Sequence, residues 1–259
     1  MKILVVNPNT TQSMTQKIGD AARLAAESGT HITACNPEFG PPSIEGYYDE
    51  VFAIPGMIGE IRKHPDADAV IIACFDDTGL DAARCCTSAP VIGIGEAGFH
   101  IATLISGKFS VVTTLARSIP AIEHNLAKYG LASRCLKVRA SEVPVLDLER
   151  VGSDAYAKIS AEIHRAIEDD GAEAIVLGCA GMADLARRLS DEHGVPVLDG
   201  VSCAIKLAES LVSLGLKTSA SGGYAKPRAK VYAGQFAPFS PDGTLQPLGG
   251  KRNDAEDIH

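Results

Sequence analysis

Apolar positions along the chain follow two alternating patterns. Short unbroken apolar runs such as Ile3–Val6, Val70–Ile72 and Ile175–Leu177 have the character of strands buried on both faces. Longer stretches between them carry apolar residues at helical spacing. The patterns predict strands near 2–7, 31–36, 68–74, 90–94, 108–114, 134–139, 173–178 and 195–198. They predict helices near 12–27, 48–63, 80–87, 96–106, 117–129, 153–169, 182–193 and 201–213. Strand alternating with helix implies an α/β fold with parallel sheets covered on both faces.

The pattern also repeats. Ala67 to Cys74 (ADAVIIAC) matches Ala172 to Cys179 (AEAIVLGC) at an offset of 105. Ala89-Pro90-Val91-Ile92-Gly93 matches Val195-Pro196-Val197-Leu198-Asp199 at 106, and Lys2–Val6 matches Lys108–Val112 at 106. Each match alone is ordinary strand similarity, but a shared offset in a shared order argues for two homologous halves. The expected architecture is two pseudo-symmetric lobes, each a four-stranded parallel sheet flanked by helices, with the active site in the cleft between them. The expected division is 1–95 for the first lobe, with helix 201–215 returning to it, 96–200 for the second, and 216–259 for a C-terminal tail. From Ser219 the periodicity ends in Gly, Pro and charge, predicting a segment either mobile or draped over a neighbouring subunit.

Composition narrows the chemistry. A net charge of −8 with scattered Lys and Arg offers no basic stripe for nucleic acid or an anionic membrane. Without Trp there is little for stacking single strands. The first apolar run is broken at once by Asn7-Pro8-Asn9, unlike an export signal, and no segment reaches membrane-spanning length, so the expected location is the cytoplasm. Seven cysteines, an odd number, with no Cys-x-x-Cys pair and no His-Glu-x-x-His run, suit neither a disulfide scaffold nor a zinc site. No metal is expected.

Ligands of open parallel sheets bind beyond the strands' carboxyl ends. Cys74 and Cys179 lie there on equivalent strands, each followed by a turn and a predicted helix. Helix starts offer free N–H groups and partial positive charge, which favour a thiolate. A cysteine beside a buried strand is more often a small core hydrophobe, but the duplication would set these two face to face. That geometry suits removing a proton from one face of a carbon and returning it to the other. Cys35, Cys85, Cys86, Cys135 and Cys203 lack this setting and read as structural. Gly93-Ile94-Gly95-Glu96-Ala97-Gly98 fits the dinucleotide-binding spacing but follows the fourth strand, and the next strand ends without an acid, so it reads as a tight turn between lobes.

The paired Ala-Cys and Gly-Cys strand ends resemble those of the aspartate/glutamate/hydantoin racemase superfamily. The resemblance sharpens over Asn7–Thr10, Pro42–Glu50, Ala73–Asp77, Val111–Leu115 and Gly178–Asp184, which are similar to hydantoin racemases and the related allantoin racemases over residues 1 to 230. It implies two-cysteine racemisation without metal or organic cofactor, and a homo-oligomer. Phe75-Asp76 and Ala180-Gly181 stand where glutamate racemases carry Asn-Thr and Thr-His. Loss of those polar groups favours a neutral ring, a cyclic ureide, over a zwitterion.

Oxyanion stabilisation is expected from backbone N–H groups after the two cysteines. Thr113 and Thr114, and Asn9 and Thr10 in the matching place, are candidate donors to the ring, with helix capping or turn formation as the alternative. Ile44 and Phe75 are candidate walls, with plain packing the favoured reading of Ile44. Ala180, Gly181 and Met182 are placed at the substrate through the turn after Cys179. Asp76 and Asp77 are read as helix caps or ring-nitrogen partners, and Glu45 as solvated. Hydantoin and allantoin are not separated at this level. An amino-acid racemase, an arylmalonate decarboxylase or maleate isomerase relative, and a non-catalytic two-lobed binding protein remain as rivals.

Overall fold

The computed structural model describes residues 1–150 and 152–241. The first lobe runs β1 (Lys2–Val6), α1 (Gln12–Ala25), β2 (His31–Cys35), α2 (Tyr47–Lys63), β3 (Ala69–Ile72), α3 (Leu80–Arg84) and β4 (Val91–Gly93). After α4 (Ile94–Ile105), the second repeats the scheme with β5 (Phe109–Thr113), α5 (Ile119–Lys128), β6 (Cys135–Ala140), α6 (Ala155–Glu168), β7 (Ala174–Gly178), α7 (Ala186–His193) and β8 (Val197–Asp199), closing with α8 (Gly200–Ser213).

The two sheets have the same order, β2-β1-β3-β4 and β6-β5-β7-β8, and every pairing is parallel. The central strands explain this. All of β3 and β7 is buried, as strands between two helical layers require. Equivalent strand ends thus arrive at equivalent places, and Cys74 and Cys179 stand just past the ends of β3 and β7.

The helices after the last strand of each sheet cross over. α4 leaves β4 but packs on β7, β8 and α5, while α8 leaves β8 and packs on α1, β3 and β4. The two also pack against each other, with Gly98 and Gly200 at their contact. One continuous apolar core results, running from Ile3 and Ile71 through Phe99 to Val111, Val176 and Ile205.

The sequence expectation differs from the structure in three segments. Residues 182–185, expected to open a helix over 182–193, belong instead to a 3-10 turn, Ala180–Leu185, ahead of α7. A further 3-10 turn, Val145–Glu149, lies in a stretch with no periodicity. The segment after α8, expected to be mobile or draped over a neighbour, lies along its own first lobe as far as it is described. The Thr218 amide donates to the Ser88 carbonyl (3.0 Å), Arg84 donates to the Tyr224 hydroxyl (3.3 Å) and Arg62 to the Pro238 carbonyl (3.2 Å). An apolar groove of about 410 Å³ remains between that segment and α2, walled by Ile54, Ile58, Tyr232 and Phe236. Residues 242–259 of the expected tail lie outside the described residues. No helix among the described residues is long and apolar enough to cross a membrane.

Candidate active site

The cavity between the lobes' strand ends is lined by Asn7, Asn9, Met14, Ile44, Ala73, Cys74, Phe75, Asp76, Thr114, Ser118, Val145, Gly178, Cys179 and Ala180. Both cysteines therefore reach one space from opposite lobes. The cavity holds about 30 Å³, room for one or two waters.

Each sulfur accepts from its own turn. The Thr78 hydroxyl donates to Cys74 Sγ at 3.2 Å, and the Asp76 backbone N–H favours the same thiolate. The Gly181 N–H favours the Cys179 thiolate. The expectation that helix starts would lower both thiols fails. α3 begins six residues past Cys74 and has five residues, and a 3-10 turn follows Cys179. Burial outweighs the local donors. It pushes Cys179 up to about 11 and Cys74 well above the ordinary thiol range, with Asp76 adding to the second.

Two carboxyls stand near the thiols. Burial, Glu50 and Asp77 push Asp76 up to about 8. Burial also raises Glu50, whose Oε1 is buried without a hydrogen-bond partner. Lys17 of α1 ion-pairs with Asp184 across the cleft (2.9 Å) and lowers Cys179.

Of the residues expected at the substrate, Asn9, Ile44, Phe75, Asp76, Thr114 and Ala180 line the cavity with the cysteines. Asn9 Oδ1 accepts from Asn7 Nδ2 and the Thr11 amide, both at 2.9 Å, which leaves its Nδ2 facing Met14 Sδ. Four expected residues do not line it. Thr113 donates to the Gly178 carbonyl at 2.9 Å, because successive strand residues point to opposite faces and only Thr114 faces the cleft. Thr10 is turned to the Pro41 carbonyl (3.4 Å). Met182 is fully buried among Leu177, Leu189 and Val197. Gly181 acts through its backbone alone.

Glu45 is not a solvated residue: its Oε1 accepts from the Val145 amide at 3.1 Å, tying the loop before α2 to the second lobe. Asp77 caps a helix, but not the one that follows it. Its carboxylate accepts from Gly95 N (2.9 Å), Glu96 N (2.8 Å) and Tyr129 Oη (2.7 Å), sitting where a phosphate would sit on a dinucleotide-binding helix. The glycines of the 93–98 motif make room for this. A Cβ on Gly93 or Gly95 would strike Asp77 or the Phe75 carbonyl.

Asn7, Met14, Ser118, Val145, Gly178 and Glu50 carry no assignment from the sequence, and Thr78, a candidate helix cap, instead donates to Cys74. One signal was present: Ser118 follows Thr114 by four residues as Thr78 follows Cys74. Val145 carries no such mark. Outside the cavity lining, Cys35, Glu60 and His64 bring potential metal-ligand atoms within 4.8 Å of one another. Glu60 is already paired with Lys63 at 2.7 Å, and burial pushes the Cys35 thiol to about 12, so the cluster is charge-balanced without a cation.

Residues 3–208 match the family model described as Asp/Glu/Hydantoin racemase. The hydantoin racemase of Rhizobium meliloti is 49% identical over 236 residues, 90% of this chain and 98% of that protein. The hydantoin racemase of Pseudomonas sp. (strain NS671) is 47% identical over 241 residues, 92% and 97% of the two chains. The structure of allantoin racemase from Klebsiella pneumoniae superposes with a TM-score of 0.90 at 47% identity, covering 93% of this chain and 99% of that one. With its duplicated sheets and paired cysteines, the chain belongs to the Asp/Glu/Hydantoin racemase family.

Proposed function

We propose that the protein racemises 5-monosubstituted hydantoins by a 1,1-proton transfer between Cys74 and Cys179, without metal or organic cofactor. The observation that carries this reading is that both thiols line one small cavity from opposite lobes. One thiolate removes the proton from the carbon between ring carbonyl and nitrogen, and the opposite thiol returns one to the other face. The electron pair waits as an enolate on the neighbouring carbonyl oxygen. Asn9 Nδ2 and Thr114 are donors for ring oxygens, while Met14, Ile44, Phe75 and Val145 form an apolar wall for the side chain. That wall favours an alkyl or aryl hydantoin over the polar side chain of allantoin. Allantoin is the second reading, favoured by the likeness to the Klebsiella pneumoniae structure.

A substituted five-membered ring exceeds a cavity of about 30 Å³, so substrate entry needs the cleft to widen. The 36–46 loop, pinned to the second lobe by Glu45, is the natural gate. The functional units we assign are 1–95 with 201–215, 96–200, and the tail from 216.

Circular-dichroism decay of an enantiopure 5-alkyl hydantoin in heavy water tests the reading. The signal should fall to zero with deuterium at the stereocentre, and enantiopure allantoin should decay more slowly. Cys74→Ser and Cys179→Ser should each lose about 10²–10⁴-fold in racemisation, while each retains some wash-in of deuterium from one enantiomer. Full activity in either serine variant would falsify the two-thiol mechanism.

A further inference from the structure

Two carboxyl groups beside the thiols have no part in a proton transfer between cysteines alone. Asp76 lines the cavity two residues after Cys74, and its charge bears on both sulfurs. The charge of Glu50, on α2, bears on Asp76 and on Cys74. Its Oε1 is buried and has no hydrogen-bond partner. The charged groups facing Asp76 are Glu50 from α2 and Asp77 from its own turn. From α5, Asn125 donates to the Asp76 backbone carbonyl (2.7 Å) and Tyr129 donates to Asp77, and neither brings a positive charge. Lys17 of α1 and Glu45 bear on Cys179.

Two carboxylates in a partly buried site with no cation between them resist ionising together. An ionised Asp76 would also repel an enolate forming beside it. A neutral carboxyl there would do the opposite, because its O–H is a donor held in a water-poor cavity. We propose that Asp76 is a further catalytic residue, a neutral acid that donates its O–H to the ring oxygen on which charge develops, and that Glu50 is the positioning residue that keeps it neutral. This rests on the two-thiol reading above. The thiolate takes the ring proton, the C–H electron pair moves onto the carbonyl oxygen, and the Asp76 O–H hydrogen-bonds to that oxygen without transferring its proton. The pair returns to carbon as the opposite thiol delivers a proton.

The order of the ionisations makes the role measurable. The productive site needs a thiolate and a neutral carboxyl, yet Asp76 lies near 8 and Cys179 near 11. The productive form is therefore the minor arrangement of the singly ionised site. Its population rises about tenfold per pH unit below about 8, then levels off.

The experiment is the pH dependence of kcat for the wild type, Asp76→Asn, Asp76→Leu and Glu50→Gln on one hydantoin, so that ionisation of the ring itself is common to all. Wild-type kcat should level near pH 8. Asp76→Asn keeps an N–H donor that cannot ionise, so its kcat, lowered at neutral pH by the weaker donor, should show no break near pH 8 and keep climbing about tenfold per pH unit to pH 9. Glu50→Gln should move the break to lower pH, since removing the neighbouring charge eases ionisation of Asp76. Asp76→Leu should lose about 10²–10³-fold in kcat. Superimposed profiles for wild type and Asp76→Asn, or an unreduced kcat in Asp76→Leu, overturn the proposal. If the leucine variant does not fold, the wild-type and asparagine profiles decide alone. Should both serine variants of the cysteines be inactive while those profiles coincide, the acid role falls and the two-thiol reading stands.

Discussion

Cys74 and Cys179 occupy matching positions in unlike fields. Around Cys74 lie the Asp76 and Glu50 carboxyls, which resist a second negative charge. Cys179 also feels Asp76 and Glu45, but there the Gly181 N–H and Lys17 act in the opposite sense, and its rise is the smaller. Cys179 is therefore the more acidic of the two thiols, although burial keeps both protonated at neutral pH. Limited alkylation with iodoacetamide followed by peptide mapping should label Cys179 ahead of Cys74, because the thiolate is the nucleophile. Lys17→Met should slow labelling of Cys179 several-fold and leave Cys74 unchanged. Faster labelling of Cys74 in the wild type contradicts this assignment. The cysteines themselves were legible in the sequence because the repeat placed them. Their asymmetry was not, since Lys17 and Glu50 come from helices distant in the chain and no spacing rule relates them to either thiol. Thr113 and Thr114 show a second limit. One of two adjacent strand-end threonines must face the cleft, and strand alternation alone does not say which.

Among the elements, α4 depends on a residue outside itself. Its first-turn amides at Gly95 and Glu96 are held by Asp77, 18 residues back from Gly95. Asp77 takes a positive φ of 51° to reach them, a backbone region that Asp tolerates better than most side chains. Asp77→Ala removes the cap and strands the Tyr129 hydroxyl, and should cost about 2–3 kcal/mol in urea unfolding. Asp77→Asn, with a single acceptor oxygen for three donors, should fall between the two. Equal stability for all three would show that the cap contributes nothing. The glycines of this region were visible as a motif, read from sequence as a tight turn between lobes. What they accommodate became visible only when the Asp77 turn folded over them. The regular strands and helices followed from periodicity in order and type, with ends displaced by up to four residues, as at α7. The 36–46 and 141–149 connections did not, because their order comes from contacts across the cleft, such as Glu45 with Val145, rather than from any local pattern.

For the whole molecule, the buried acids set a pH dependence of stability. Asp76, Asp77, Glu50 and Asp199 are all raised above the ordinary carboxyl range by burial. The folded state thus holds more protons than the unfolded chain between about pH 4 and 8, and stability falls as pH rises through that window. Raised thiols such as Cys179 and Cys86, both near 11, continue the decline at higher pH. Carboxyls held low by partners, such as Asp170 beside Arg139, act in the opposite sense, and only below about pH 4. Thermal unfolding should therefore show Tm highest near pH 4 and falling steadily to pH 9, by about 2–4 °C for each kcal/mol lost. A Tm that rises from pH 6 to 9 contradicts this balance.

The crossing of α4 and α8 bears on ancestry. Each half of the duplication shields its sheet with the other half's final helix, so a solitary half would leave one apolar face bare. Before the two copies were joined in one gene, such a half could close only by trading that helix with a twin. In such a swapped pair the cysteine-bearing strand ends would meet at the seam, one from each side, and joining the halves in one chain lets the surroundings of Cys74 and Cys179 differ.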